Sequence, residues 1–103
     1  MEFEVIIEQT AEQDLLHILS YISDILKEPS SAKQIYFSIK EQVLSLDRMP
    51  YRYAVVSEEP YAQLGIRKIP VENYTAFYFV DDENKTIHVF RILYNRREWK
   101  NLI

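Results

Sequence analysis

The sequence contains no cysteine and a single glycine, Gly65. The absence of cysteine excludes a disulfide framework, thiolate metal ligation and a cysteine nucleophile, and one isolated glycine cannot build a Gly-rich phosphate-binding loop. The beginning of the chain carries acids where a secretory signal needs basic residues, and no apolar run approaches the roughly 20 residues of a membrane span. We therefore expect a cytoplasmic protein with neither a membrane segment nor a bound cofactor.

Positive charge is scarce in the first two thirds of the 103 residues. The whole chain has a net charge of −4 and a pI near 5.1. Residues 1–63 hold five Lys and Arg residues against eleven acids, whereas residues 64–103 hold seven against five. Because non-specific phosphate binding depends on many cations, the chain is not expected to wrap nucleic acid, but its last third can present a local cationic patch.

Hydrophobic periodicity predicts a single α+β domain over residues 1–103 that begins with a strand and a helix. Alternating apolar residues predict an edge strand at Phe3–Ile7. An apolar stripe from Leu15 to Leu26 then predicts a helix of about 17 residues. Thr10 and Gln13 have the spacing of a capping box at its start, and Pro29 disfavours helical geometry just before it.

A second apolar stripe, from Ala32 to Leu46, predicts a second helix. Ser30 or Ser31 is its predicted cap, the latter with Gln34 three residues later, and the helix is expected to end at Met49–Pro50. The short break between the helices makes them antiparallel neighbours. We expect this hairpin to pack on one face of a sheet.

The rest of the chain predicts a loop and then a mainly antiparallel sheet. Residues 50–63 contain two prolines and no sustained period, with room for a short extended piece at Tyr53–Val56. Asn95 and Glu98 have capping-box spacing, which predicts a short helix at the end. The three predicted strands run from Leu64 to Ile69, from Tyr74 to Val80 and from Thr86 to Tyr94, with turns at Pro70–Asn73 and Asp81–Lys85.

The arginines are the most informative polar residues, since His17 and His88 lack a third ligand at metal spacing. Arg91 interrupts an apolar strand, where an unpaired cation costs several kcal/mol, so a partner must neutralise or solvate it. Arg67 lies on another predicted strand, and Arg96–Arg97 follow the last strand. Two interpretations stay open. Either the guanidinium groups converge at one accessible end of the sheet to grip an anion, or Arg67 and Arg91 bond to acids of the helical hairpin or to strand carbonyls while Arg96 and Arg97 are merely solvated.

Five stretches of the sequence carry a family resemblance through their order and spacing: AEQDLLHILSYI, the Pro29 and Ala32 that follow it, SLDRMP, IRKIPVENYTAFYFVD and VFRILYNRREW. Together they resemble toxins of the RelE/ParE superfamily of bacterial type II toxin–antitoxin modules, which serve plasmid stabilization and growth inhibition. The resemblance implies two helices packed on an antiparallel sheet. It also implies a cognate antitoxin that binds across the toxin and silences it.

The superfamily divides by target. RelE-like members cleave messenger RNA on the ribosome, and their key arginine directly follows the tyrosine that opens the penultimate strand; here Tyr74 is followed by Thr75, and the segment Trp99–Ile103 has no tyrosine or histidine. ParE-like members poison DNA gyrase, and their strand end with an arginine-acid pair resembles Arg97–Glu98. The acidic pI also suits a protein-binding poison better than a ribosome-binding nuclease.

We therefore predict a ParE-like toxin that binds DNA gyrase or another macromolecular target and forms a homodimer or a toxin–antitoxin hetero-oligomer. The alternatives are a RelE-like endoribonuclease and a degenerate, non-toxic family member. The predicted target- or antitoxin-binding residues are Arg67, Lys68, Tyr74, Tyr78, Arg96, Arg97 and Trp99. In a ribonuclease, Arg67, Arg91 and Arg97 would stabilise the phosphate, and Tyr94 or His88 would act as the base.

Overall fold

The computed structural model describes residues 2–103 and has the predicted α+β architecture. Its four strands form one sheet in the order β1–β4–β3–β2. No helix in this range is long and apolar enough to span a bilayer. In chain order the elements are strand β1 (Glu4–Ile7), helix α1 (Gln9–Ser20), a π-helical turn (Tyr21–Ile25), helix α2 (Pro29–Leu44), a 3-10 turn (Ser45–Asp47), strands β2 (Arg67–Val71), β3 (Tyr74–Asp81) and β4 (Thr86–Tyr94), and a 3-10 turn (Trp99–Asn101).

The sheet is mixed because its first strand pairs in parallel. β1 lies along β4 with Glu4 opposite Thr86, whereas β2 and β4 both pair antiparallel with β3. A parallel pair needs a long crossover connection, which the two helices and the loop after them supply. The predicted edge position of β1 and central position of β3 are confirmed.

Both faces of the sheet are covered, but unequally. The helical hairpin packs on one face and buries most of the core. The other face carries a smaller apolar cluster under the loop and the last residues of the chain. Fully burying one Leu, Ile or Phe side chain contributes about 1.5–3 kcal/mol, so the helix-covered face supplies most of the stabilisation. Its largest buried side chains include Leu15, Ile39, Leu46, Ile69, Tyr78, Ile87 and Ile92.

The predicted capping box at Thr10 is wrong, since α1 begins at Gln9 with Glu8 as its N-cap, two residues before the predicted cap. No side chain caps this helix. The Glu8 carboxylate lies 2.7 Å from Nδ1 of His88 on β4 instead. The Glu8 backbone N–H also continues the parallel pairing by donating to the carbonyl of Val89 at 2.8 Å. The residue at the N-cap therefore uses its side chain for a tertiary contact and not for capping.

The cap predicted at Ser30 or Ser31 is also wrong. α2 begins with Pro29 at its first position and has Glu28 as N-cap. Proline suits this position because its fixed φ is already helical and its missing N–H has no helical partner there. The Ser31 hydroxyl donates to the Glu28 carboxylate at 3.3 Å and does not accept from a backbone N–H as a capping serine would.

The first helix has the predicted length only when the π-helical turn is included, since α1 and this turn run from Gln9 to Ile25. In that turn the N–H of Leu26 donates to the carbonyl of Tyr21, five residues earlier, at 3.1 Å. The wider turn changes the helical phase. As a result Ile25 and Leu26, which the sequence assigned to the buried stripe, are exposed.

Three predictions in the second half need correction. The first strand there begins at Arg67 and not at Leu64. β2 does not turn at Pro70 but continues to Val71, because proline is tolerated on an edge strand, where its missing N–H breaks no ladder bond. Asn95 does not cap a helix, because its Oδ1 accepts from Thr75 at 2.6 Å. The predicted terminal helix is reduced to the 3-10 turn at Trp99–Asn101.

The predicted loop contains no regular element among residues 50–63, and its predicted extended piece is reduced to one bridge between Val55 and Arg67. Two tyrosines fasten it to the sheet. The buried Tyr78 hydroxyl donates to the carbonyl of Pro50 at 3.1 Å, and the exposed Tyr51 hydroxyl donates to Asp82 at 2.7 Å. Burial raises the pKa of Tyr78, so this phenol remains a donor.

The two tyrosines provide a matched test of loop anchoring. Tyr78→Phe leaves the Pro50 carbonyl without its partner in a buried site and should lower the free energy of unfolding by about 1–2 kcal/mol. Tyr51→Phe removes an exposed bond and should cost less than about 0.5 kcal/mol. Urea unfolding of both variants measures the difference. Equal losses would contradict the assignment of Tyr78 as the buried anchor.

Candidate functional site

Arg91 lies at an irregularity in β4. Phe77 of β3 is opposite Arg91, but the next residue, Tyr78, is opposite Val89, so Phe90 is an extra residue on β4. Such a bulge bends the strand and redirects its side chains. β1 pairs with β4 only up to Val89, so the bulge comes just after the point at which this edge of β4 loses its neighbour.

Asp14 on α1 binds Arg91 at this uncovered edge. Nε of Arg91 donates to Oδ2 of Asp14 at 2.8 Å and Nη2 donates to Oδ1 at 3.1 Å. The N–H of Ile92 donates to the same Oδ2 at 2.9 Å, and Nη1 of Arg91 donates to the carbonyl of Leu102. The side chains of Arg91 and Asp14 are only 19% and 14% exposed. The hydrogen bonds to Asp14 raise the pKa of Arg91, and its guanidinium is engaged inside the fold.

Arg67 and Tyr78 are also engaged in the fold. Nη1 of Arg67 donates to the carbonyl of Tyr53, and its guanidinium lies 5.1 Å from the centre of the Tyr51 ring. Tyr78 is completely buried. The structure therefore does not bring Arg67 and Arg91 together with Arg97 on one accessible rim. Arg91 bonds to an acid of the helical hairpin, as one of the two interpretations expected, whereas Arg67 bonds to a carbonyl of the loop, which neither interpretation named.

Five of the other predicted residues do come together where β3 begins and β4 ends. We call Lys68, Tyr74, Tyr94, Arg97 and Trp99 the sheet-end site. On the helix side, Tyr74, Tyr94 and Arg97 line a groove of about 600 Å³. On the other side, Tyr94 and Arg97 line a second cavity, of about 270 Å³, with Lys68 and Trp99. Tyr94 and Arg97 thus separate two concave surfaces.

The groove on the helix side is lined by phenol groups. The rings of Tyr74 and Tyr94 lie 5.6 Å apart. Burial raises the pKa of Tyr74, and the neighbouring Tyr94 and Tyr21 raise it further. Tyr74 is therefore protonated at neutral pH and can donate a hydrogen bond, but it is a poor general base.

The cavity on the other side is walled by Trp99. Its indole ring lies 5.2 Å from Phe77 and 5.1 Å from Tyr61, and Nζ of Lys68 lies 5.6 Å from its centre. The Tyr61 hydroxyl donates to the carbonyl of Lys100 at 2.8 Å. These contacts hold the end of the chain against the sheet and bring the Lys68 ammonium to the edge of the cavity.

Arg96 and Arg97 are the cations with free guanidinium groups here. Both are exposed, and within residues 2–103 neither forms an ion pair. The Arg97 backbone N–H donates to the carbonyl of Tyr94 at 3.0 Å, which fixes the start of the turn after β4. The guanidinium groups can therefore bind carboxylate or phosphate groups of another molecule through paired donors.

Three residues that shape this region were not predicted from the sequence to do so. Asp14 was not assigned as the partner of Arg91, although an acid next to the buried Leu15 is a usable signal for a paired carboxylate. Tyr21 and His17 also line the groove on the helix side. Tyr21 was missed because it lies in the π-helical turn, and the sequence did not predict that turn.

Comparisons with known proteins agree with the fold. The family model for the ParE toxin of the type II toxin–antitoxin system parDE matches residues 5–99. The chromosomal ParDE system of P. aeruginosa is similar with a TM-score of 0.72 and 25% identity, over 89% of this chain and 95% of that one. No curated protein sequence matches significantly.

Two further solved structures share the fold at lower identity. The toxin–antitoxin complex RelBE2 of Mycobacterium tuberculosis has a TM-score of 0.66 and 21% identity, over 91% of this chain and 99% of that one. The E. coli toxin RelE, in the free state and with two arginines replaced by alanine, has a TM-score of 0.65 and 14% identity, over 99% of this chain and 93% of that one.

The engaged and the free arginine should respond differently to truncation. Arg91→Ala leaves the Asp14 carboxylate without its charged partner and should lower the free energy of unfolding by about 2–3 kcal/mol. Arg97→Ala should change it by less than about 0.5 kcal/mol, because surface substitutions usually do. Thermal unfolding of both variants gives the comparison, and equal losses of stability would contradict the two assignments.

Proposed function

The chain belongs to the family of ParE toxins of type II toxin–antitoxin systems, and from that premise we propose that it inhibits a macromolecular target, DNA gyrase, by binding it through the sheet-end site. The family is one of type II toxins; the target and the binding surface are what we propose for this chain. The observation that carries the proposal is Arg97, a free cation between two concave surfaces. Arg96 beside it adds a second exposed guanidinium.

A cognate antitoxin is the partner that the related complexes support, since two of the similar structures are toxin–antitoxin systems. We propose that it neutralises this toxin in the cytoplasm by covering the sheet-end site. An acidic segment fits there, because the exposed Arg96 and Arg97 and the ammonium of Lys68 can pair with its carboxylates.

Two features favour a binding mode of action over RNA cleavage. Cleavage through the 2′-hydroxyl needs cations at the developing charge and a nearby base. Two of the cations considered for that role, Arg67 and Arg91, already donate hydrogen bonds within the fold. His88, one of the two candidate bases, is six residues from Tyr94 along β4, which corresponds to about 20 Å.

One observation favours the endoribonuclease alternative. Lys68, Tyr94 and Arg97 line one small cavity, so two cations and a phenol are available to one phosphate. The residue at the position of the RelE-like arginine argues against RNA cleavage, because it is Thr75. Its hydroxyl is hydrogen-bonded to Asn95. A non-toxic member of the family is the third candidate.

Induction of the chain in bacteria that lack the antitoxin tests the proposal. We expect growth arrest, inhibition of supercoiling by purified gyrase, and no cleavage of transcripts in a translation extract. The double variant Arg96→Ala/Arg97→Ala should weaken gyrase inhibition at least about tenfold while the melting temperature stays within a few degrees. Lys100→Ala is the matched control, since it removes an exposed cation near the same end of the chain.

The outcomes separate the three candidates. Transcript cleavage without an effect on gyrase would support the endoribonuclease and refute the gyrase target. Unchanged growth with a stably folded chain would support the non-toxic member. Full gyrase inhibition by the double variant would refute the sheet-end site as the binding surface.

A further inference from the structure

The outer face of the helical hairpin, remote from the sheet, exposes large apolar side chains. Leu16 on α1 is 62% exposed and Phe37 on α2 is 58% exposed. A shallow groove of about 480 Å³ runs between the two helices. Its lining residues are Leu16, Leu19, Ser20, Ser23, Asp24, Ala32, Lys33, Tyr36 and Phe37. We call these residues the hairpin face. Contiguous exposed apolar surface of this kind marks interaction sites.

The charges on the hairpin face are of both signs and lie on different helices. Asp24, in the π-helical turn after α1, and Lys33, on α2, line opposite sides of the groove. Both are exposed and, among residues 2–103, neither belongs to an ion pair. Asp24 accepts one long bond, from Ser20 at 3.3 Å. The face therefore has one unpaired charge of each sign, separated by apolar side chains.

This distribution of charge is complementary to itself. An acidic partner would be attracted by Lys33 but repelled by Asp24, and a basic partner would be attracted by Asp24 but repelled by Lys33. In a two-fold contact the same patch is used by both copies, so a residue on one side of the axis meets the residue on the other side. An axis along the groove places α1 of one copy against α2 of the second, which brings Asp24 opposite Lys33 twice.

The apolar residues follow the same symmetry. Asp24 and Lys33 both lie near the connection between the helices, and Leu16 and Phe37 both lie further from it on their own helices. A two-fold axis along the groove does not change the position of a residue along the groove. Leu16 of one copy therefore faces the Phe37 region of the other. α1 with its π-helical turn is about 24 Å long. Two helices of this length offer an area near the roughly 600 Å² per partner found in the smallest specific interfaces.

We propose that the chain forms a two-fold symmetric homodimer through the hairpin face. Leu16, Leu19, Tyr36 and Phe37 form its apolar centre, and two reciprocal Asp24–Lys33 pairs fix its register. The sheet-end site does not contribute to this interface, so a dimer presents two copies of it. The proposal is independent of the target of the toxin.

A reciprocal charge swap tests this interface. We expect the wild-type chain to dimerise in sedimentation velocity experiments. Asp24→Lys places two lysines opposite two lysines, and Lys33→Glu places two glutamates opposite two aspartates, so each variant alone should dissociate with a Kd raised at least about tenfold.

An equimolar mixture of the two variants should restore dimers. One variant is then basic at both positions and the other is acidic at both, so each of the two contacts again joins opposite charges. Native mass spectrometry should identify the restored dimers as heterodimers of the two variants. Glu83→Lys, at the tip of the β3–β4 hairpin, is the matched control for the change in charge and should leave dimerisation unchanged.

A monomeric wild-type chain would overturn the proposal, and would leave the hairpin face to another protein such as the antitoxin. Single variants that remain dimeric, or a mixture that remains monomeric, would also overturn it, because the copies would then associate through another surface or not at all. Far-UV circular dichroism confirms that each variant is folded.

Discussion

The rest of the structure depends on the hydrogen bonds that the carboxylate of Asp14 accepts. It joins helix α1 to the guanidinium of Arg91 and to the backbone N–H of Ile92, at the point where β4 has lost its neighbour β1. Arg91 in turn binds the carbonyl of Leu102. A single charge pair therefore connects the helical hairpin, the edge of the sheet and the end of the chain. Its members are mostly buried, so water competes weakly for their hydrogen bonds.

Hydrogen bonds inside the fold also determine which cations are available to another molecule. Arg91 and Arg67 donate inside the fold, whereas Arg96 and Arg97 follow the last strand and are exposed. The end of the chain, held by Leu102 and Tyr61, brings Trp99 beside Lys68. The bonds from Asp14 to Arg91 and from Arg91 to Leu102 thus help to hold the wall of the sheet-end site that Trp99 forms. This site is the surface that we propose for an acidic antitoxin segment and for the target.

The sequence predicted secondary structure correctly wherever the pattern of apolar residues within one element was sufficient. Two apolar stripes predicted the helical hairpin, and alternating or continuous apolar runs predicted the strands. Local patterns failed where a distant residue competes for the same group. The predicted cap Asn95 accepts from Thr75 instead, and the N-cap of α1 is Glu8, whose carboxylate contacts His88, and not the predicted Thr10. The Asp14–Arg91 pair joins residues 77 positions apart, a separation that no periodicity encodes, and the π-helical turn has no local signal that we recognise.

A double-mutant cycle on Asp14 and Arg91 tests the central claim most directly. The free energies of unfolding of the wild-type chain, Asp14→Ala, Arg91→Ala and the double variant give the coupling between the two side chains, free of their separate effects. We predict a coupling of at least about 1.5 kcal/mol, in the upper part of the range for residues in one hydrogen-bonded network. A coupling below about 0.5 kcal/mol would contradict the account, because Arg91 would then be as free to act outside the fold as Arg97.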